Sequence, residues 1–208
     1  MSLYGRIFAA GYDALMAGPE KAGLSERRAK LLSDASGQVL EIGGGTGANL
    51  PFYGPAVEAI VVTEPEEPMA RRLEQKLTDS PRRVRVVRAR AEQLPFEDGS
   101  FDCAVSTLVL CTVEDPARAL SEIRRVLKPD GRLLFLEHVR AEDPQLARWQ
   151  DRLHGPWRWF GHGCNCNRAT LGAIGESGFS VSDVEHDRMR KAPPIVRPLI
   201  VGAARPLS

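Results

Sequence analysis

The feature that most constrains this chain is the run Val39-Leu40-Glu41-Ile42-Gly43-Gly44-Gly45-Thr46-Gly47, a buried-strand pattern that passes straight into a glycine loop. Without Cβ atoms such a loop can take positive φ and bring backbone N–H groups close to a ligand. Its place is the carboxyl end of a strand in an open parallel sheet, where the ligand crevice forms. The rest of the chain agrees with that placement. Short apolar segments recur at Gln38 to Ile42, Val57 to Thr63, Val84 to Ala89, Phe101 to Ser106, Arg132 to His138, Ser180 to Glu185 and Ile195 to Ala203. They are rich in Val, Ile, Leu and Phe without clean alternation, as strands covered on both faces should be.

Helical patterns separate these strands. Met69, Leu73 and Leu77 follow Pro68 at a spacing of four, which predicts a crossover helix. Asp115 and Pro116 read as N-cap and first position of another, with Leu120, Ile123 and Leu127 as its apolar stripe and Pro129-Asp130-Gly131 as its end. Strands joined in this way run parallel with right-handed connections, so the expected class is α/β, a Rossmann-like doubly wound sheet. Residues 1–37 read as a helical cover broken at Gly18-Pro19, and residues 38–208 as the ligand-binding domain. The cover has three open readings: helices packed on the sheet edge, a lid over a substrate, or a helix at a membrane surface.

Charge and cysteine content narrow the function classes. With 28 Lys plus Arg against 27 Asp plus Glu, the net charge of +1 supplies no chain-wide field for nucleic acid. The stretch Arg82, Arg83, Arg85, Arg88 and Arg90 has no aromatic ladder beside it and reads as the charged face of an edge strand. No apolar run approaches the ~18 residues of a membrane span, so a soluble cytoplasmic protein without stable membrane insertion is expected. Cys103, Cys111, Cys164 and Cys166 are too unevenly spaced for a secreted disulfide scaffold and read as reduced thiols. Cys164 and Cys166 with His154 and His162 have the wrong spacing for zinc, so no metal is expected.

Glycines alone do not choose the ligand. Gly43-x-Gly45-x-x-Ala48 fits a dinucleotide fingerprint, with Glu64 about 20 residues on. Three features favour a sulfonium nucleoside, S-adenosylmethionine, over NAD. Glu41 at the loop's mouth would repel a pyrophosphate and attract a cation. Pro51 shortens the helix whose N-terminus a pyrophosphate needs. Ala91-Glu92-Gln93-Leu94-Pro95-Phe96 places an acid and an amide across the crevice, where an adenine would lie. Glu64 is the expected bidentate acceptor for the ribose hydroxyls.

This order of Glu-x-Gly-x-Gly-x-Gly, Glu64, Ala91 to Phe96 and Gly99-Ser100-Phe101-Asp102 resembles the class I S-adenosylmethionine-dependent methyltransferases. Within them it is similar to the branch of the ubiquinone and menaquinone C-methyltransferases and of the animal alkyl-thiol S-methyltransferases. The second likeness rests on Gly47-Ala48-Asn49-Leu50-Pro51-Phe52-Tyr53, Thr107-Leu108-Val109-Leu110-Cys111, Glu137-His138-Val139 and Gly163-Cys164-Asn165. The resemblance runs from Val39 to Ala204 and implies seven strands in the order 3-2-1-4-5-7-6, the last antiparallel. It implies that Gly43, Gly45 and Gly47 wrap the methionine part and that Glu64 holds the ribose. Met69 would flank the adenine, Ala91 and Glu92 would border its edge, and Thr107 and Leu108 would touch the cofactor. The chain departs from the family at Gly44, commonly Cys, at Glu64, commonly Asp, and at Arg90, where the quinone enzymes often carry Asp. The animal thiol enzymes also open on an apolar anchor, which is not expected here.

Methyl transfer from a sulfonium is an in-line displacement that needs a base only if the acceptor arrives protonated. His138 and, less so, Glu137 are the candidates, and since neighbours on a strand point to opposite faces, only one should reach the crevice. Trp149, Trp157, Trp159 and Phe160 precede Gly163-Cys164-Asn165-Cys166 and suit either core packing or an apolar acceptor. The expected partner is therefore a small, fairly apolar thiol, hydroxyl or amine, and a homodimer stays open. Three other classes stay open too: an NAD-dependent oxidoreductase, a cofactor-binding regulatory domain without turnover, and a lipid or quinone methyltransferase at a membrane surface.

Overall fold

The computed structural model describes residues 3–78 and 83–207. Its elements run α1 (Leu3–Pro19), α2 (Ser25–Leu32), β1 (Gly37–Ile42), β2 (Val57–Thr63), α3 (Glu67–Leu77), β3 (Val84–Val87), β4 (Phe101–Thr107), α4 (Pro116–Val126), β5 (Leu127–His138), α5 (Pro144–Phe160), α6 (Thr170–Glu176), β6 (Phe179–Arg188) and β7 (Pro198–Pro206). The seven strands form one sheet in the order β3-β2-β1-β4-β5-β7-β6. The pairs from β3 through to β5 are parallel, and β7 runs antiparallel to both β5 and β6. This is the α/β sheet expected above, with β3 at one edge. Arg85 lies on that edge strand, Arg83, Arg88 and Arg90 flank it, and Arg82 falls outside the described residues.

Strand alternation divides the core into two layers. Val39, Val105, Leu134 and Leu136 point to the side covered by α2 and α3, where they join Leu31, Leu32 and Leu73. Leu40, Ile42, Ala104, Leu133 and Phe135 point to the other side and pack on Leu120 and Ile123 of α4. The Asp115 side chain accepts from Arg118 N at 3.0 Å, with Pro116 in the first turn of α4. Asp143 and Pro144 do the same for α5.

Several expected boundaries move. The N-terminal helix does not break at Gly18-Pro19. It continues through Pro19 into a wide π-type turn over Glu20–Leu24, and the kink falls at Gly23, whose φ is +119°. Pro19, at the end of α1, removes one backbone donor, whereas a positive φ ends the helical path outright. Helix α4 stops at Val126, and Lys128 to Gly131 belong to a bulged start of β5 rather than to a helix end. The last strand begins at Pro198 instead of Ile195, because Pro193 and Pro194 set up a short 3-10 turn over Pro194–Val196.

Candidate active site

The carboxyl ends of β1, β2 and β4 open into one cavity of about 830 Å³. Of the predicted site residues, Gly43, Gly45, Glu64, Met69, Ala91, Glu92, Leu108 and His138 line it. Gly43, Gly45 and Gly47 all have positive φ, which turns the loop off β1. At Gly45 a Cβ would meet nothing within 4 Å, so the loop backbone there faces open space. Leu108 takes the same left-handed region, with φ of +61°, at the tip of β4. For a residue with a Cβ this costs roughly 1–2 kcal/mol.

Glu64 is the clearest acid of the cavity. Its Oε2 accepts from Gly45 N and its Oε1 from Glu66 N, both at 2.8 Å. Burial raises its pKa above the ordinary carboxylate value while these two amides pull the other way. Each oxygen keeps a second lone pair for a ligand hydroxyl. Glu92 lies at the rim and spends Oε1 on Glu114 N at 2.8 Å, bracing the turn into α4, while Arg90 spans Glu92 and Glu114.

Four predicted residues lie elsewhere. Glu41 is buried below the loop and does not line the cavity, contrary to the expectation that it sits at the mouth. The reason is depth: Glu41 stands level with Val105, short of the strand tips, on the Val39 face, where Tyr53 Oη donates to it at 2.8 Å and Asn49 Nδ2 at 3.0 Å. Thr107 points to the same face and accepts from Arg28 and Asn49 at 2.9 Å. Gly47 packs against Leu50 and Leu73 rather than facing the cavity. Glu137 points the other way from His138, accepting from Ser106 Oγ at 2.7 Å and Val109 N at 3.0 Å. It ties the end of β5 to the loop after β4. His138 alone of that pair reaches the cavity, as strand alternation requires, but burial lowers its pKa to about 4 and keeps the ring neutral. The ordinary value near 6.5 that recommended it as a base does not hold here.

The N-terminal cover crosses the cavity. Phe8, Tyr12, Leu15, Met16 and Pro19 line it from one side, and Trp157, Trp159, Phe160 and His162 from the other. Phe8 stacks on His162 at 4.8 Å and Tyr4 on Trp159 at 5.2 Å. Tyr4 Oη also donates to the carbonyls of Trp159 and Phe160 at 2.9 and 2.8 Å. Thr46 Oγ1 donates to Asp13 at 2.5 Å, which pins α1 to the glycine loop. Arg28 of α2 reaches Asn49, Thr107 and Glu20. Helix α1 thus forms part of the cavity wall. Trp149, by contrast, is solvent-exposed on α5.

Sequence reasoning missed Tyr12, whose phenol is pushed up to about 12 by burial, and the loop Met189, Lys191, Ala192, Pro193 and Val196, which closes the cavity's far wall. The signal for Tyr12 was faint, one aromatic within an apolar helix pattern. The far-wall loop carried none, because it is placed by the β6 to β7 turn.

Comparison with known proteins fits this geometry. A family model described as a methyltransferase domain matches residues 40–135. The human thiol S-methyltransferase TMT1B is 37% identical over 185 residues, spanning 84% of this chain and 74% of that protein. Human thiol S-methyltransferase TMT1A is 35% identical over 171 residues, spanning 80% and 69%. A solved structure of an S-adenosylmethionine-dependent methyltransferase from Thermotoga maritima superposes with a TM-score of 0.69 at 25% identity, covering 97% of this chain and 96% of that one. The oxidoreductase reading and the binding-only reading both give way to these relatives. The chain is an enzyme of the class I S-adenosylmethionine-dependent methyltransferases, takes S-adenosylmethionine as its cofactor, and belongs with the thiol S-methyltransferases.

Proposed function

We propose that this enzyme methylates the sulfur of small apolar thiols. The observation that carries the reading is the make-up of the cavity at the strand tips. Glu64 lines it together with the apolar and aromatic side chains of Phe8, Tyr12, Leu15, Trp157, Trp159 and Phe160. The acid fits the nucleoside and the apolar wall an acceptor. The thiol S-methyltransferases that share more than a third of this sequence support sulfur as the acceptor atom.

The cofactor fit rests on two features: a buried carboxylate that keeps a lone pair free on each oxygen, and a glycine turn whose Gly45 position opens onto the cavity. Glu64 would hold the ribose hydroxyls, Gly43 and Gly45 the amino-acid part, and Met69 and Ala91 the flanks of the base. S-adenosylmethionine supplies a methyl group on a cationic sulfur that leaves as a neutral thioether. The work of the chain is orientation, which can lower the barrier by several kcal/mol. Tyr12, kept protonated, is a hydrogen-bond donor, and the aromatic side chains supply an apolar wall for the acceptor. His138 stays neutral, and its Nδ1 has no partner among the described residues. It can accept from an arriving S–H, but with a pKa of about 4 it does not keep the proton at neutral pH. The proton released on alkylation therefore passes on to solvent.

A panel of alkyl thiols, aryl thiols, phenols and amines with methyl-labelled cofactor tests the reading. S-methyl products are expected. Labelled products confined to the phenols or amines would overturn it.

A second reading, a methyltransferase working on an acceptor held at a membrane surface, draws on the rim of the cavity. Ile7, Leu15, Trp159 and Phe160 are exposed there, and no helix among the described residues is long and apolar enough to cross a membrane. Flotation with liposomes checks it: protein that stays out of the lipid fraction removes this alternative.

A further inference from the structure

Two cysteines meet in the wall of the cavity. Cys111 follows the tip of β4, and Cys164 follows α5; both line the space where the acceptor is proposed to sit. Their thiols are near enough to act on one another, each shifting the other's pKa, while the Cys111 thiol donates to the Leu108 carbonyl at 3.6 Å. The backbone holds them there. The Cys111 carbonyl accepts from both Asn165 N and Asn165 Nδ2, at 2.8 and 2.9 Å, so the residue after Cys164 is clamped onto Cys111. Arg168 donates to the Leu110 carbonyl one residue away.

The third member of the corner is Trp157. Its buried indole Nε1 has no well-formed hydrogen bond among the described residues, and its interaction with the Cys164 thiol helps hold that thiol low. A Cβ placed on Gly161 would stand 3.1 Å from that nitrogen and 3.2 Å from Cys164 Cβ, so the N–H and the thiol share one side of the pocket. A sulfur anion on Cys164 would strengthen that contact.

The contact with Cys111 holds the Cys164 thiol below its ordinary pKa, whereas Cys111 itself is raised. Cys164 is also the more accessible of the two, 6% exposed against 1%, which makes it the attacking member and Cys111 the resolving one. Cys103, buried in the core layer on the α2 side, has no such partner.

From this corner we infer a second activity: Cys111 and Cys164 form a dithiol that reduces small organic disulfides inside the methylation pocket. The Cys164 thiolate attacks one sulfur of R–S–S–R, a new S–S bond joins Cys164 to R–S, and the first R–S⁻ leaves and takes a proton. The Cys111 thiol then gives up its proton to the second leaving R–S⁻ as its sulfur displaces that group. The protein loses two electrons and becomes the Cys111–Cys164 disulfide, and the small disulfide gains them and becomes two thiols. Further turnovers require a dithiol reductant. The released thiol lies in the pocket proposed for methylation. Only that use of the product rests on the thiol-acceptor reading; the exchange itself does not.

The test uses the full chain, reduced and freed of reductant, with dithiodipyridine as the disulfide and no cofactor present. Wild-type protein should release two thiones per chain in a fast phase. Peptide mapping by mass spectrometry should then find Cys111 joined to Cys164, with Cys103 and Cys166 still reduced. Cys164→Ser should slow the fast phase at least roughly tenfold. Cys111→Ser should release one thione and retain a mixed disulfide on Cys164. A wild-type map without the Cys111 to Cys164 link, or a fast phase that survives Cys164→Ser, overturns the proposal, and the wild-type map decides even if a variant fails to fold. Methyl transfer to thiols already reduced is scored separately, so failure of the function reading and failure of this one are told apart.

Discussion

The backbone amide of Gly45 donates to Glu64 Oε2 at 2.8 Å, joining the glycine loop off β1 to the tip of β2. The carboxylate thereby shapes the loop before any ligand arrives, and its second oxygen is held by Glu66 N in the same way.

Glu64→Ala should weaken cofactor binding by roughly 1.5 to 3 kcal/mol, the scale of hydrogen bonds made to a charged group. Titration calorimetry with S-adenosylhomocysteine reads it directly. Unchanged affinity would show that the ribose lies elsewhere.

Gly44 stands apart from its neighbours because space, not φ, demands the glycine. A Cβ there would overlap Val62 Cγ1. Gly44→Ala should destabilise the fold by about 1–3 kcal/mol through overpacking. The double variant Gly44→Ala with Val62→Ala should recover much of that loss in urea unfolding. Full stability in the single variant would contradict the tight contact.

Glu41 carries a pH signature of its own. Burial raises its pKa from 4.5 to about 7 despite the hydrogen bonds from Tyr53 and Asn49. A raised native pKa means that the stability contribution is whole below pH 4.5 and is lost as pH rises through 7. Glu41→Gln mimics the protonated form, so its stability relative to wild type should grow across that window, by about 3 kcal/mol at most. Chemical unfolding at several pH values measures the gap, and a constant gap would mean that the carboxyl titrates in the fold as it does in the unfolded chain.

His138 should show the opposite slope. Burial lowers its pKa from 6.5 to about 4, so its contribution is present above pH 6.5 and lost as pH falls toward 4. His138→Gln should remove that part of the acid lability, again about 3 kcal/mol at most. In methyl transfer, wild type should show no inflection near pH 6.5 from this ring. A profile with such an inflection that disappears in His138→Gln would assign it a base of ordinary strength instead.

How far local pattern reaches can be judged residue by residue. The Gly43 to Gly47 loop, the crossover helix with Met69 and Leu73, and the Asp115-Pro116 start of α4 are written in short-range spacing, because caps, turns and apolar periodicity act over a few residues. The opposed directions of Glu137 and His138 were legible for the same reason, since alternation along a strand is local. Glu41 shows where that reasoning stops. Its distance from the glycines suggested the mouth of the site, yet it stands short of the strand tip and is covered by Tyr53 and Asn49, which reach it from the segment after the loop.

The sequence by itself determined the class of sheet, the glycine turn and the acid at Glu64, since these follow from backbone freedom, burial pattern and charge within short windows. Only the tertiary structure decided that α1 lies across the cavity, that Cys111 meets Cys164, and that His138 is neutral. Each of those depends on contacts between segments far apart in the chain, and the desolvation and pairing they impose have no trace in local composition.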